Sequence, residues 1–218
     1  MLSGLLPARL AAWGDSVAWL TFDPRNSDHS AGSIDGLGPA LAARQAHRAF
    51  ADTPVTLASV NAILRRMTDV AAELARAFGA RQPLTLAVLI RRGGTSLPAG
   101  AYWYEATAGT LVLARDGGSP HLPGQFDETN APCVIYPCTA LDDSDDSVIL
   151  GYRAALVTAG AVATAGWLHA VDLGLGGNLY GRGHQAEFGA HFAAHLLRQR
   201  HLLALTIGTP DALPRSGR

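Results

Sequence analysis

Lysine is absent from the 218 residues, and its absence removes whole classes of chemistry. Without a side-chain amine, the chain can form neither a Schiff base nor the phosphate-binding lysine of a P-loop. Any bound anion must therefore be held by arginine. Cysteine is also scarce: only Cys133 and Cys138 occur, in one apolar run. Two thiols without further ligands do not make a zinc site, so we expect buried apolar residues in a reducing compartment.

The chain has little net charge, formally −1 at pH 7, and its basic residues are scattered. No basic stripe for nucleic acid or for an acidic membrane surface stands out. Residues 1–19 lack a basic start followed by a continuous apolar stretch, so we expect no signal peptide and a cytoplasmic protein. Residues 154–171 carry no Asp, Glu, Lys or Arg, but are mostly Ala, Gly, Thr and Val. That composition favours the central helix of a soluble protein over a membrane span.

Hydrophobic residues make up 48% of the chain, enough for the core of one domain. Their spacing predicts helices over 37–50, 56–66, 68–78 and 148–173, the second capped by Thr56. Short apolar or β-branched runs predict strands over 84–90, 101–105, 110–114, 131–136 and 202–207, the last after a His-rich helix. This order of elements predicts a mixed α/β or α+β layer fold in one unit.

Arg44 and Arg48 lie four residues apart on the first predicted helix, so they would share one face of it. Guanidinium groups bind phosphate bidentately, and this pair could hold a cofactor phosphate. Two solvated arginines on an amphipathic helix would show the same spacing. The pair alone does not decide between these interpretations.

Glycine is concentrated in the run Gly174–Gly183, which follows a helix and which we predict to be a loop. Its glycines do not fit G-x-G-x-x-G, so the dinucleotide-binding fingerprint is excluded. Gly174 is typical of a helix C-cap, and the remaining glycines would let the backbone approach a flat ligand closely.

A rival constellation is formed by His184, Glu187, His191 and His195, which recur at three or four residues. On a continuous helix they would form one stripe with the spacing of a divalent-metal site. Gly189 interrupts that helix, and we predict no metal. A serine hydrolase is disfavoured because the sequence contains no G-x-S-x-G elbow.

Together these segments resemble the nitroreductase superfamily, and specifically its SagB-type branch of peptide-modifying flavin dehydrogenases. The resemblance covers residues 42–210 and includes the first-helix motif at Arg44–Phe50, the strand pattern of Pro83–Arg115 and the central helix that follows Gly151. It implies an α+β, nitroreductase-like fold: a mixed, mostly antiparallel sheet surrounded by helices, with a long central helix at a dimer interface. The domain would span 37–218, after an N-terminal extension at 1–36.

The resemblance also implies FMN as the cofactor. Its phosphate would be bound by Arg44, Gln45 and Arg48, and its ring would lie beside Leu179, Tyr180 and Gly181. No catalytic residue is identified, because Asp146–Ser147 stands where the branch has a Lys-Tyr pair. Ala46 and Thr209 replace a serine and an arginine that contact the phosphate in the family.

The expected function is therefore an FMN-dependent dehydrogenase that oxidises thiazoline or oxazoline rings to azoles in peptide natural-product biosynthesis. Its partners would be a peptide substrate, a second copy in a homodimer and other subunits of a heteromeric biosynthetic complex. The alternative is a degenerate, non-catalytic member of the fold that serves as a partner or peptide-binding subunit.

Overall fold

The computed structural model describes residues 37–78, 84–115, 130–140, 148–181, 188, 192 and 199–211. The named helices are α1 (Leu37–Ala43), α2 (Leu57–Phe78) and α3 (Val148–Asp172). The strands are β1 (Thr85–Ile90), β2 (Gly100–Glu105), β3 (Thr110–Arg115), β4 (Cys133–Ala140), β5 (Gly176–Tyr180), β6 (Gln199–His201) and β7 (Ala204–Gly208). The predicted extension at 1–36 lies outside the described residues, so the domain boundary stays a prediction.

The strands form one sheet in the order β3-β2-β1-β4-β7-β5, and β6 pairs with the end of β4. β4 lies in the middle, where Ile135 pairs with Val88 of β1 and with Leu205 of β7. Every pairing between these named strands is antiparallel, so the predicted mostly antiparallel sheet is confirmed.

The two faces of the sheet bury different partners, because neighbouring side chains along a strand point to opposite faces. Val88 and Ile135 pack against residues of α2 and α3 on the first face. Val134 packs with Phe188 and Phe192 on the second face. The central strands are consequently buried on both sides, which explains why they read as continuous apolar runs.

β4 is longer than the prediction, which ended this strand at Tyr136. It continues through Pro137 to Ala140, and its last residues pair with β6, a strand that the sequence did not predict. Proline lacks a backbone donor but keeps its carbonyl. That carbonyl accepts a hydrogen bond from the backbone N–H of Leu202 at 2.9 Å.

α2 is one helix where the sequence predicted two. Its start is as predicted: the hydroxyl of Thr56 accepts a hydrogen bond from the backbone N–H of Ser59 at 3.1 Å. The predicted second start at Thr68 does not occur. The Thr68 hydroxyl instead donates to the carbonyl of Leu64 at 2.9 Å, and the helix continues unbroken.

α3 is the long central helix predicted over 148–173 and ends at Asp172. It contacts α2 and the strands β4, β5 and β7. By length and composition alone, its stretch Tyr152–Asp172 is apolar enough to cross a membrane. Val162 on this helix is fully buried in the domain core, whereas Val157 is 73% exposed. One face of α3 therefore packs inside the domain, and the other is open in the single chain.

Candidate functional site

The segment predicted to bind the flavin phosphate, 44–50, is not helical. α1 ends at Ala43, and the backbone N–H of Arg44 makes the last helical bond, to the carbonyl of Ala40 at 2.9 Å. The prediction that Arg44 and Arg48 share a helical face is therefore wrong. Without a helix over these residues, the spacing of four residues does not place the two guanidiniums one helical turn apart.

Hydrogen bonds to distant strands take the place of the helix in this segment. The N–H of His47 donates to the carbonyl of Gly177 in β5 at 3.0 Å, and Ala46 forms a parallel bridge with the same glycine. Further along, the N–H of Ala51 donates to the carbonyl of Thr209 at 2.9 Å. Tertiary pairing has overridden the helix propensity of an alanine-rich run. It brings the candidate phosphate residues to the edge of β5.

The side chains predicted to bind the phosphate are accessible. Arg44, Gln45 and Arg48 are all exposed. Among the described residues, the only ion pair joins two other side chains, so neither arginine is neutralised by a carboxylate within this part of the chain. Exposed guanidiniums without a carboxylate partner are suited to bind an anion from solution.

The guanidinium of Arg44 lies over the ring of Trp167, with its Cζ atom 4.6 Å from the ring centroid. Trp167 comes from α3 and is only 4% exposed. Its indole Nε1 has no hydrogen-bond partner among the described residues. The contact is a cation–π interaction, and no feature of the sequence pattern indicated it.

The Gly-rich run, predicted as a loop, contains a strand. Gly174 has φ 76° and caps α3 as expected, and the N–H of Leu175 donates back to the carbonyl of Ala170 at 2.8 Å. The chain then enters β5, which pairs along its whole length with β7. The loop prediction for Gly176–Tyr180 is therefore wrong.

The two glycines of β5 lack a side chain, and other side chains of the protein fill the space that this leaves. A Cβ atom on Gly176 would lie 2.7 Å from the ring of His47 and 2.7 Å from Pro210. A Cβ atom on Gly177 would lie 2.8 Å from Cδ1 of Trp167. We expected these glycines to leave room for a flat ligand, but the structure fills that room with the imidazole, the proline ring and the indole.

The residues predicted to lie beside the flavin ring are at the far end of β5. Leu179 and Tyr180 are half-buried and Gly181 is exposed, with no atom within 4 Å of the position a Cβ would take. At the rise of a β-strand, these residues lie about 7–13 Å from Gly177. Leu179 packs on the first face of the sheet and Tyr180 on the second, so only one of these two side chains can face a ring on a given side of β5.

A polar clamp that no sequence pattern indicated holds the end of the segment 44–50. The side-chain amide of Asn130 accepts from the N–H of Phe50 at 2.9 Å and donates to its carbonyl at 2.7 Å. Asn130 has φ 36°, a left-handed conformation that asparagine tolerates. Arg92 binds the carboxylate of Asp52 at 2.6 Å and also donates to the carbonyl of Asn130. These bonds fix the chain directly after the arginine-bearing segment.

The rival metal stripe of His184, Glu187, His191 and His195 lies outside the described residues. Within the residues described, no group of three or more His, Cys, Asp or Glu side chains could hold a metal ion. The pair Asp146–Ser147, at the position of the family's Lys-Tyr pair, also lies outside the described residues.

Both cysteines are free and buried, as the sequence predicted. Burial raises the pKa of the Cys133 thiol to about 12, and it raises the pKa of Cys138 as well. Cys133 packs on the first face of the sheet and Cys138 on the second. Five residues apart on one strand, their Cα atoms are about 16 Å from each other, too far for a disulfide. Neither thiol is suited to nucleophilic chemistry.

No protein-family model matches the sequence, and no curated protein is similar to it. Solved structures are similar in fold. A candidate nitroreductase from Ralstonia eutropha is 21% identical, with a TM-score of 0.64 over 86% of this chain and 88% of that one. A nitroreductase family protein from Streptococcus pneumoniae is 17% identical, with a TM-score of 0.54 over 84% of this chain and 94% of that one.

A third similar structure is the E. coli microcin synthetase complex McbBCD, solved with truncated pro-MccB17 bound. It is 14% identical, with a TM-score of 0.59 over 74% of this chain and 67% of that one. At such identities the similarity establishes the fold alone. This chain has a nitroreductase-like α+β fold, as the sequence predicted.

Proposed function

We propose that this chain is an FMN-dependent dehydrogenase that oxidises thiazoline or oxazoline rings of a peptide to azoles. The observation that carries the proposal is the position of Arg44 and Arg48, two exposed cations held at the edge of β5 in a nitroreductase-like fold. The similarity in fold to a microcin synthetase complex that was solved with a peptide precursor bound supports the choice of substrate class.

The residues along β5 fit the two ends of FMN. Arg44, Gln45 and Arg48 would bind the phosphate, and the ring would lie beside the strand end at Leu179, Tyr180 and the open backbone of 181, facing one of the two side chains. FMN supplies the two-electron chemistry that the removal of two hydrogens from an azoline requires. The protein's part is to position the cofactor and to leave one face open to the peptide.

The proposal includes a homodimer in the cytoplasm, with a peptide substrate and further subunits of a biosynthetic complex as partners. The open face of α3 supports the dimer, because Val157 on it is 73% exposed. A large exposed apolar residue on a central helix is typical of a surface that a second subunit covers.

The first test is reconstitution with FMN, removal of free flavin and the visible absorption spectrum of the protein. The Arg44→Ala/Arg48→Ala double variant is expected to lose bound flavin, because both exposed cations are removed. The matched control is Arg66→Ala/Arg76→Ala, which removes two exposed arginines from α2. Retention of flavin by the first variant, or equal loss in both, would reject the phosphate assignment.

A second candidate function is a non-catalytic subunit that keeps the fold and binds a partner or peptide. The observation that favours it is the filled space beside Gly176 and Gly177, where His47, Pro210 and Trp167 occupy room that a ligand could use. A wild-type protein that stays colourless after reconstitution, yet binds an azoline-containing peptide, would support this alternative and reject the dehydrogenase.

A further inference from the structure

Trp167 has an environment that packing alone does not explain. The indole is 4% exposed, and its edge lies against the backbone of β5, since a Cβ on Gly177 would lie 3.0 Å from Nε1. Within the part of the chain that the structure describes, the same Nε1 has no hydrogen-bond partner. A buried donor without a partner costs stability, so the indole is not explained by its hydrogen bonding. What an indole adds is the strongest π face for a cation among the aromatic side chains.

The cation over that face is Arg44, 4.6 Å from the ring centroid. The backbone around it is held by the end of α1, through the bond to Ala40, and by β5, through the bond between His47 and Gly177. The arginine is thus fixed at its backbone and at its guanidinium. Arg48 is equally exposed, and within the described residues no aromatic ring supports its guanidinium.

A guanidinium that is already ordered loses less side-chain freedom when an anion binds. We infer that Trp167 is a positioning residue, whose ring holds Arg44 ready to bind a phosphate group. The inference rests on the proposed function where the phosphate is that of FMN. It assigns the two arginines different roles: Arg44 is pre-organised, and Arg48 is an adaptable second cation.

The test compares FMN with riboflavin, which has the same ring but no phosphate. Trp167→Leu is expected to weaken FMN binding about 2- to 5-fold, the effect of one cation–π contact at an exposed site, and to leave riboflavin binding unchanged. Trp167→Phe keeps an aromatic face and should lose less. In an Arg44→Ala background, Trp167→Leu should have no further effect on the ratio of the two affinities.

A merely structural role would give a different pattern. The inference would be overturned if Trp167→Leu weakened the binding of FMN and of riboflavin equally. It would also be overturned if Trp167→Leu reduced the ratio of the two affinities as much in the Arg44→Ala background as in the wild type. If Trp167→Leu does not fold, the comparison of Trp167→Phe with wild type decides in the same way, because the two rings differ in the strength of their π face.

Inorganic pyrophosphate provides a test of anion binding that does not depend on flavin. It should raise the thermal midpoint of the wild type, and raise that of Trp167→Leu or Trp167→Phe by less. If this holds while FMN does not bind, the inference stands and the proposed function fails. If pyrophosphate leaves the wild-type midpoint unchanged, or shifts wild type and variants equally, Trp167 does not position an anion-binding arginine.

Discussion

Replacing Gly177 by alanine is expected to destabilise the protein, because β5 runs directly against a buried ring and a backbone carbonyl. The added Cβ would lie 2.8 Å from Cδ1 of Trp167 and 2.9 Å from the carbonyl oxygen of Thr206. That carbonyl belongs to β7, the strand paired with β5, and cannot move without disturbing the pairing. Movement of the indole would also displace it from Arg44.

The size of the effect is the difference between two opposing contributions. Forcing an extra methyl group into a packed site costs about 1–3 kcal/mol. Alanine restricts the unfolded chain more than glycine does, which offsets about 0.4–1 kcal/mol. The net loss is about 1–2 kcal/mol, and for a chain of this size that lowers the thermal midpoint by about 2–8 °C.

Thermal and urea unfolding measure this loss, and Gly181→Ala is the matched control on the same segment. No atom lies within 4 Å of a Cβ at Gly181, so this change is expected to alter stability by less than about 1 kcal/mol. If Gly177→Ala unfolds at the wild-type midpoint, or if both variants lose the same stability, the close packing of Trp167 against β5 is refuted.

Three further predictions concern the clamp residue Asn130, the two buried cysteines and the half-buried His201. Asn130→Ala should lower the free energy of unfolding, measured with urea, by about 2–3 kcal/mol, because two hydrogen bonds to Phe50 disappear and alanine must keep φ 36°. A variant as stable as the wild type would contradict the clamp. Cys133 and Cys138 should not react with a thiol reagent until the protein is denatured, because both are buried and burial raises both pKa values; labelling of the native protein would show that the thiols are accessible. Burial lowers the pKa of His201 below 6.5, so the unfolded chain protonates first and the stability that this residue contributes is lost as the pH falls below about 6.5. His201→Phe should therefore lose less stability than wild type between about pH 7.5 and about pH 5.5, and equal losses would refute this linkage.

Strands β1 to β4 and β7 were predictable because their signals are local. β1 lies within a run of apolar residues that ends at two arginines, and the predicted run 84–90 differs from the observed strand by one residue. α3 was predicted equally well, since a long alanine-rich run without proline ends at Gly174. In both cases the apolar pattern and the bounding residues lie within the element itself.

The two segments of the candidate site were predicted less well, and for one common reason. Residues 44–50 have the composition of a helix but are irregular with isolated bridges, and Gly176–Tyr180 has the composition of a loop but is a strand. Each finds its hydrogen-bond partners far away in the sequence, at β5 and at β7. Local propensity is a weak preference, and paired backbone groups between distant segments outweigh it.

Sequence alone determined the buried cysteines and the central helix, and the resemblance carried by its motifs indicated the α+β class. Those features depend on composition and on spacing within one element. Tertiary structure alone decided that Arg44 lies over Trp167, that Asn130 holds the backbone of Phe50 and that side chains fill the space beside Gly177. Each of these contacts joins residues that are distant in the chain, and only the closed fold brings them together, because neither partner carries a local signal for the other.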